Sequence, residues 1–502
     1  MKERFRDSWF IPGILLLFLY FLYRLWNQAQ LLRIFPLDAT NDWASHIAKI
    51  YFFDVCGYYQ QCAYWYNGFT LFELYPPAYF FYTWILQRIT DNYLVTAYIS
   101  MIILFVIGFL LLWKFGKQEN LSRTKRIAFF AFYSLNAIAI GNYIRVGRMP
   151  ELFAWIIFIG FATSMLYFRN KPLNKYFFVT IFSYAILLIS HQTTAILATI
   201  LWLSLFLVQS SKLKVIGGFI LSVALTSWWT IPYVIASQHT QTYSYVLSQW
   251  LLDFKVLLLE NLAITAICIA TLIAFYAYWK TQEHNNKELL FFSPIIALTL
   301  LVLFRLVPFL PILQYVYSDP YANFILFFGL FFFLASSPKA YPKLLVPILI
   351  IGILLLPIAS IAINHYKTNQ YGKDTYFQEH DAIAKDTIAI IPSVEERYVI
   401  LGGLASDDTF YDKAFYAYAA IYHNKRSAGG WNEQFISSDY NRLLVSLDLD
   451  LRQKNCLSLT KKLVRLNVTD AITYGEHCNT LALCGWQEKI RKGQACMFEH
   501  LE

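Results

Sequence analysis

Asp42 and His46 stand four residues apart, so on a helix they share one face. A carboxylate and an imidazole placed this way suit acid–base work, the carboxylate taking a proton from an attacking hydroxyl. The same Asp, following Asn41 and preceding an apolar run, also fits a helix cap. Both residues belong to a polar stretch, Pro36 to Pro77, that also holds Asp38, Asp54 and Glu73, the cysteines Cys56 and Cys62, and a Tyr75-Pro76-Pro77 corner. Asp38 and Asp54 are rivals for the base. Most connections between elements run to ~4–6 residues, so a polar excursion of this size in so apolar a chain points to function.

Four further places bear chemistry. Arg145, Arg148 and Glu151 lie together before an apolar run; arginine grips phosphate oxygens with a planar fork, and the alternative is an internal ion pair with Glu151. His191 and Gln192 interrupt a long apolar run, where a lone His is either a structural hydrogen-bonder or a participant. Arg305 and Asp319 flank Pro308 and Pro311; Arg305 suits a second phosphate contact, while Asp319-Pro320 is also a turn signal. Glu73 either meets substrate or anchors the Pro-Pro corner.

The elements that must position these residues are membrane helices. The chain has 502 residues, 58% hydrophobic and only 15% charged, against ~25% charged in soluble domains. Repeated apolar runs near ~20 residues mean a helical membrane bundle. The first, about 9–32, follows Lys2, Arg4 and Arg6, which places the N-terminus in the cytoplasm and reads as a retained signal anchor. The Asp42 loop, 33–93, then lies outside, and the run 76–90 is too short to span and lies along the outer surface. Further spans are expected at 94–113, 127–144, 151–168, two within 176–208 with His191 at their outer turn, 215–235, 256–279, 289–304, 322–336 and 344–363, about eleven in all. The net charge of +9 arises before residue 366, mostly in short loops on the inner side, and is an orientation signal rather than a nucleic-acid one. Residues 1–365 thus form the transmembrane domain in the plasma membrane, and 366–502 an extracytoplasmic domain. The latter mixes strand-like runs such as Tyr398-Val399-Ile400-Leu401 with helical patterns at 409–422 and 439–453, an α/β arrangement.

Cysteine usage agrees with this topology. Cys268 falls mid-membrane, whereas Cys56, Cys62, Cys456, Cys478, Cys484 and Cys496 all fall outside, an even number in an oxidising space. Cys56 and Cys62 suit a small closed loop; the other four allow three pairings. Zinc is the rival, although paired C-x-x-C knuckles are missing. Trp65, Tyr66, Trp431 and Tyr474 are candidates for stacking on sugars, or simply interfacial aromatics, and Asn467-Val468-Thr469 is a sequon.

The loop also resembles a known family. Asp42 and His46, then Trp65 and Gly68, then Phe72-Glu73-Leu74-Tyr75-Pro76-Pro77-Ala78-Tyr79 are similar in order and place to the first external loop of GT-C glycosyltransferases, nearest to prokaryotic membrane proteins labelled 6-pyruvoyl-tetrahydropterin synthase-related. Leu401-Gly402-Gly403 and Gly429-Gly430-Trp431 extend the likeness weakly. The resemblance implies an inverting transfer of a sugar from a polyprenyl-phosphate donor to a glycan, lipid or protein acceptor at the outer membrane face. In that scheme Asp42 is the base, with His46 beside it. Glu73, Tyr75, Arg145, Arg148, Glu151, His191, Arg305 and Asp319 then line the substrate site. A divalent cation, Mg or Mn, is compatible with two carboxylates near His46. Two other classes stay open. A lipid-linked sugar transporter or flippase calls for midplane charges and broken inverted repeats. A non-catalytic envelope scaffold needs only the external domain.

Overall fold

A computed structural model describes residues 7–37, 42–238, 247–255, 257–337, 340–341, 351–352, 355–363, 382–402, 412–431 and 436–499. The membrane part begins with α1 (Phe10–Gln28). The polar stretch follows as α2 (Trp43–Cys56), a small antiparallel hairpin of β1 (Gln61–Cys62) and β2 (Phe69–Thr70), and α3 (Ala78–Thr90). Next come α4 (Tyr93–Gln118) and α5 (Arg123–Ser134), then a segment that starts as α-helix at Ala137 and widens into a π-helical turn over Ile140–Arg145. The bundle continues with α6 (Met149–Phe168), α7 (Phe177–Leu188), α8 (Gln192–Val208), α9 (Lys212–Leu225), α10 (Ser227–Ser237), α11 (Leu258–Thr281), α12 (Asn286–Leu303) and α13 (Ser318–Ala335).

Six of these, α1 with its extension to Leu32, α4, α6, α11, α12 and α13, are long and apolar enough to cross a bilayer, and two bent pairs, α5 with 137–145 and α9 with α10, raise this to eight. The helices α7 and α8 are apolar but shorter. Among the described residues the expected count of about eleven is therefore not reached by length and composition, and most of the span expected at 344–363 lies outside them. At 13 residues α3 is ~20 Å long and does not qualify as a span. Lipid tails offer helices no hydrophobic incentive to associate, so close packing must hold the bundle. Gly329 of α13 shows how tightly: a Cβ there would sit 2.3 Å from Thr271 Oγ1 of α11. Aromatic rings fill the rest, with Phe275 and Tyr278 meeting Phe292, Phe331 and Phe332.

The C-terminal part is a mixed five-stranded sheet with helices, as the α/β expectation has it. Its elements are α14 (Ala382–Ile390), β3 (Arg397–Ile400), α15 (Asp412–His423), β4 (Arg426–Ser427), α16 (Ser438–Gln453), α17 (Cys456–Arg465), β5 (Asp470–Tyr474), α18 (Glu476–Leu483), β6 (Gln487–Lys492) and β7 (Ala495–Glu499). The strand order is β4-β3-β5-β7-β6. Parallel pairing joins β4, β3 and β5, which requires the helical crossovers between them; β5-β7 and β7-β6 are antiparallel. Three disulfides form, Cys56–Cys62, Cys456–Cys484 and Cys478–Cys496, and Cys268 is free and buried. This choice among the three pairings was not readable from sequence, and it leaves zinc without thiolate ligands.

This domain grips the first loop. Ser427 N–H donates to Tyr64 O at 3.1 Å, Asn67 N–H to Ser427 O at 3.0 Å and Tyr66 N–H to Gly429 O at 3.1 Å, so the loop backbone continues the sheet beyond β4. Trp65 is fully buried there, edge-on to Phe52 of α2 and against Gly430. Tyr66, Trp431 and Tyr474 are also buried. Trp65 and Tyr66 are interface core rather than a sugar platform, because the loop covers the edge of β4 that β3 leaves open, and Trp431 and Tyr474 are buried in the domain.

Candidate active site

Two backbone carbonyls fix the start of α2. The Asp42 N–H donates to Val146 O at 2.6 Å, and Trp43 Nε1 donates to Ile144 O at 3.0 Å. Both acceptors follow from the wide turn at 140–145, a distortion common near functional sites. That turn is launched by Asn136, whose Oδ1 accepts from the N–H groups of Ile138 and Ala139. Gly147 then closes on the Trp43 ring with φ +78°, and a Cβ there would lie 2.6 Å from ring atoms. Only glycine meets both demands at no steric cost.

Asp42 occupies the cap position of α2, yet its side chain makes no capping hydrogen bond. The capping alternative is therefore not realised, and the carboxylate points its charge elsewhere. One turn on, His46 is 3% exposed and its Nδ1 has no hydrogen-bond partner among the described residues. Its ring lies 6.2 Å from that of Tyr75 and 6.1 Å from that of Phe80. One turn further, Lys49 is 0% exposed; its ammonium donates to Ser45 Oγ at 2.7 Å and stands 4.2 Å from the centre of the Tyr75 ring. Asp42, Ser45, His46 and Lys49 thus form one stripe at positions i, i+3, i+4 and i+7.

Charges from two other helices meet this stripe. Arg148, just before α6, lies 3.3 Å from Asp319 Oδ2 and 3.8 Å from Glu151 Oε2. Asn142 Nδ2 donates to the same Asp319 oxygen at 2.9 Å, and Trp155 Nε1 donates to Glu151 Oε1 at 3.1 Å. His191, beside the Pro-Pro corner through the Ala78 N–H to Ile189 O bond of 3.0 Å, has its Nδ1 between the hydroxyls of Thr193 and Thr194. Burial raises the Asp42 carboxyl, opposed by the positive charges of Arg148 and Lys49. Burial also lowers Lys49 to about 7, opposed by the Asp42 charge. Burial, with Lys49 and His191 near, holds His46 well below its ordinary value; burial and Arg148 bring His191 to about 4. At neutral pH both imidazoles are neutral, one ring nitrogen a donor and the other an acceptor.

Solved enzymes have a similar fold. The chain matches the arabinofuranosyltransferase AftD from Mycobacteria with a TM-score of 0.58 at 11% identity, covering 98% of this chain but 40% of that one. It matches ArnT from Cupriavidus metallidurans, apo, with a TM-score of 0.55 at 12% identity over 97% of both chains. The undecaprenyl phosphate-bound ArnT gives 0.52 at 12% identity. The fold is similar to that of these GT-C glycosyltransferases. No family model and no curated protein matches the chain.

Within this fold the predicted residues divide. Asp42, His46, Tyr75, Arg148, Glu151, His191 and Asp319 converge. Glu73 stands apart, accepting from Tyr59 OH at 3.4 Å. Arg145 is partly buried at the end of the wide turn, on the side of Tyr20 and Arg24. Arg305 spends its guanidinium on Val302 O at 3.0 Å, Asn261 O at 3.0 Å and Thr265 Oγ1 at 2.8 Å, which makes it a clasp between α12 and α11. Asp54 pairs with Arg88 at 2.8 Å and accepts from Tyr93 OH at 3.0 Å. Asp38 and Gly403 lie outside the described residues. Lys49 was missed. Its signal was position i+7 from Asp42 on the face already marked by His46.

For a divalent cation the described residues offer few ligands. No group of three or more His, Cys, Asp or Glu among the described residues is placed to hold one, and Mg²⁺ demands several oxygen ligands. The charges acting on Asp42 are already cationic, Arg148 and Lys49.

Proposed function

We propose that the chain is an inverting glycosyltransferase that moves a sugar from a polyprenyl-phosphate carrier to an acceptor hydroxyl at the outer face of the plasma membrane. One observation supports this above the rest: in a fold similar to GT-C enzymes, a partly buried aspartate at a helix start makes no capping bond and is instead acted on by a guanidinium and an ammonium. Asp42 takes the proton of the acceptor O–H; the new C–O bond forms at the sugar carbon as its bond to the phosphate oxygen breaks. The electron pair leaves with the phosphate, whose developing charge Arg148 stabilises across its exposed edge. The Nδ1 of His46, without a hydrogen-bond partner among the described residues, serves a hydroxyl of donor or acceptor, and Tyr75 packs beside it. The membrane helices supply the carrier from the side. Undecaprenyl phosphate bound to the similarly folded ArnT supports that choice of carrier. The kinship with the proteins labelled 6-pyruvoyl-tetrahydropterin synthase-related belongs to this reading and rests on the loop motif alone.

The deciding experiment measures release of labelled polyprenyl phosphate by purified protein given a panel of polyprenyl-phosphate sugars. Asp42→Asn is nearly isosteric and should bind donor yet turn over ~10²–10⁴ more slowly. Turnover at the wild-type rate rejects Asp42 as base. The orientation, with about eleven spans and a cytoplasmic N-terminus, is tested by impermeant thiol reagents. Cysteine probes at positions 120 and 284 should label only from the cytoplasm, and probes at 60 and 430 only from outside.

A further inference from the structure

Lys49 is the only lysine buried among the described residues. Removing an ammonium from water costs several kcal/mol per ion unless something nearby repays it, so its place in the fold needs a reason. A helical side chain leans toward the N-terminus of its helix. Lys49 does so, reaching back one turn to Ser45 Oγ at 2.7 Å, and Ser45 lies one turn from Asp42. The Tyr75 ring, 4.2 Å from Nζ, covers the ammonium from the Pro-Pro corner. With no exposed surface, Lys49 cannot itself touch a donor or acceptor in this arrangement.

We propose that Lys49 is a positioning residue for the base: anchored on Ser45, its ammonium holds the Asp42 carboxylate charged and aimed at the acceptor hydroxyl, an inference that rests on reading Asp42 as that base. Among the described residues, the other groups around Asp42 are these. His46 shares its helix; Arg148 and Glu151 face it from the start of α6, and Tyr317 from just before α13. Asp319 and His191 act at one remove, through Arg148. Of the two cations, Arg148 is shared with two further acids, whereas among the described carboxylates Asp42 is the one that acts on Lys49. Among the carboxyls described, its removal therefore falls on Asp42, with the neighbouring imidazole of His46 also relieved of a positive charge.

The test needs no substrate. A water-soluble carbodiimide with glycine ethyl ester modifies the protonated carboxyl, so the pH at which labelling of the Asp42 peptide rises in the detergent-solubilised protein reports when Asp42 gains its proton. An opposite charge at close range typically depresses a carboxyl by ~1–3 pH units. In Lys49→Met the midpoint should therefore move to higher pH by about that much. Lys49→Arg should restore most of it. Ser45→Ala, which keeps the charge but removes its anchor, should move the midpoint the same way by less. It serves if Lys49→Met does not fold. An unmoved midpoint in Ser45→Ala together with an unmoved or missing Lys49→Met result overturns the inference. Wild-type turnover in Asp42→Asn defeats the base reading instead, and leaves the midpoint result standing as a fact about the pair.

Discussion

The two ends of α6 hold buried charge in opposite ways. Its 20 residues separate Arg148 from Arg169 by ~30 Å. At the far end Arg169 donates through Nε to Glu288 at 3.1 Å and through Nη2 to Glu119 at 3.0 Å, and caps Leu166 O at 2.8 Å. Glu288 in turn accepts from Asn170 at 2.8 Å and Tyr278 OH at 3.0 Å. Every partner there comes from the protein itself. At the near end, Arg148 reaches its acids at 3.3 and 3.8 Å with 35% of its side chain exposed, and His46 Nδ1 has no partner among the described residues. A closed network fixes helices; an open one, equally costly to bury, is worth keeping when a ligand completes it.

Exchanging the roles of the ends breaks this contrast if it is wrong. Asp42→Asn should lower turnover by ~10²–10⁴ while leaving the thermal midpoint near wild type. Glu288→Ala should do the reverse, costing ~3–5 kcal/mol because Arg169 loses a buried partner, with turnover per folded molecule retained. Denaturation and single-turnover rates on both variants check this; a Glu288 variant that is stable but inactive would move catalysis to the wrong end.

A finer test sets arginine against arginine. Arg148→Lys keeps charge but loses the fork, and affinity for undecaprenyl phosphate should weaken about tenfold. Arg305→Lys should leave that affinity alone and cost about 1 kcal/mol of stability through lost hydrogen bonds. Equal effects in a lipid-binding assay would remove the distinction between clamp and clasp.

The smallest effect is one of pH. His46 and His191 titrate lower in the folded protein than the ~6.5 of an unfolded chain, His191 at about 4. Below pH 6.5 the unfolded state binds more protons, so their stabilising contribution is full above that pH and is lost as pH falls toward 4. Asp42, raised by burial, works in the opposite sense and blunts the slope. The thermal midpoint should drop between pH 7 and 5, and His191→Gln should flatten part of that drop. An unchanged slope in the His191 variant would mean that the imidazole is charged in the folded state.

Sequence marked the converging residues because they rest on local rules: helical spacing for Asp42 and His46, and the rarity of charge at the ends of apolar runs for Arg148, Glu151 and Asp319. Strand 397–400 and helices 412–423 and 438–453 were legible for the same reason. Lys49 was hidden because a lysine on a polar loop helix looks solvated, and its burial is set by Tyr75 across the corner. Arg305 looked like a phosphate ligand because two of its partners, Asn261 O and Thr265 Oγ1, lie 40 or more residues away in the chain. The union of Tyr64–Asn67 with β4 left no trace at all, since backbone pairing carries no side-chain code.

That union also has an order in time. Tyr64 and its partner Asn424 are 360 residues apart in the chain. At ~5–20 residues per second of synthesis, roughly 20–70 s pass between the emergence of the first loop and that of the strand that completes it. The helix bearing Asp42 therefore stays unlatched while the rest of the bundle is threaded into the bilayer. The Asp42 helix gains this latch only once β4 has been made, after the membrane helices that lie between them in the chain.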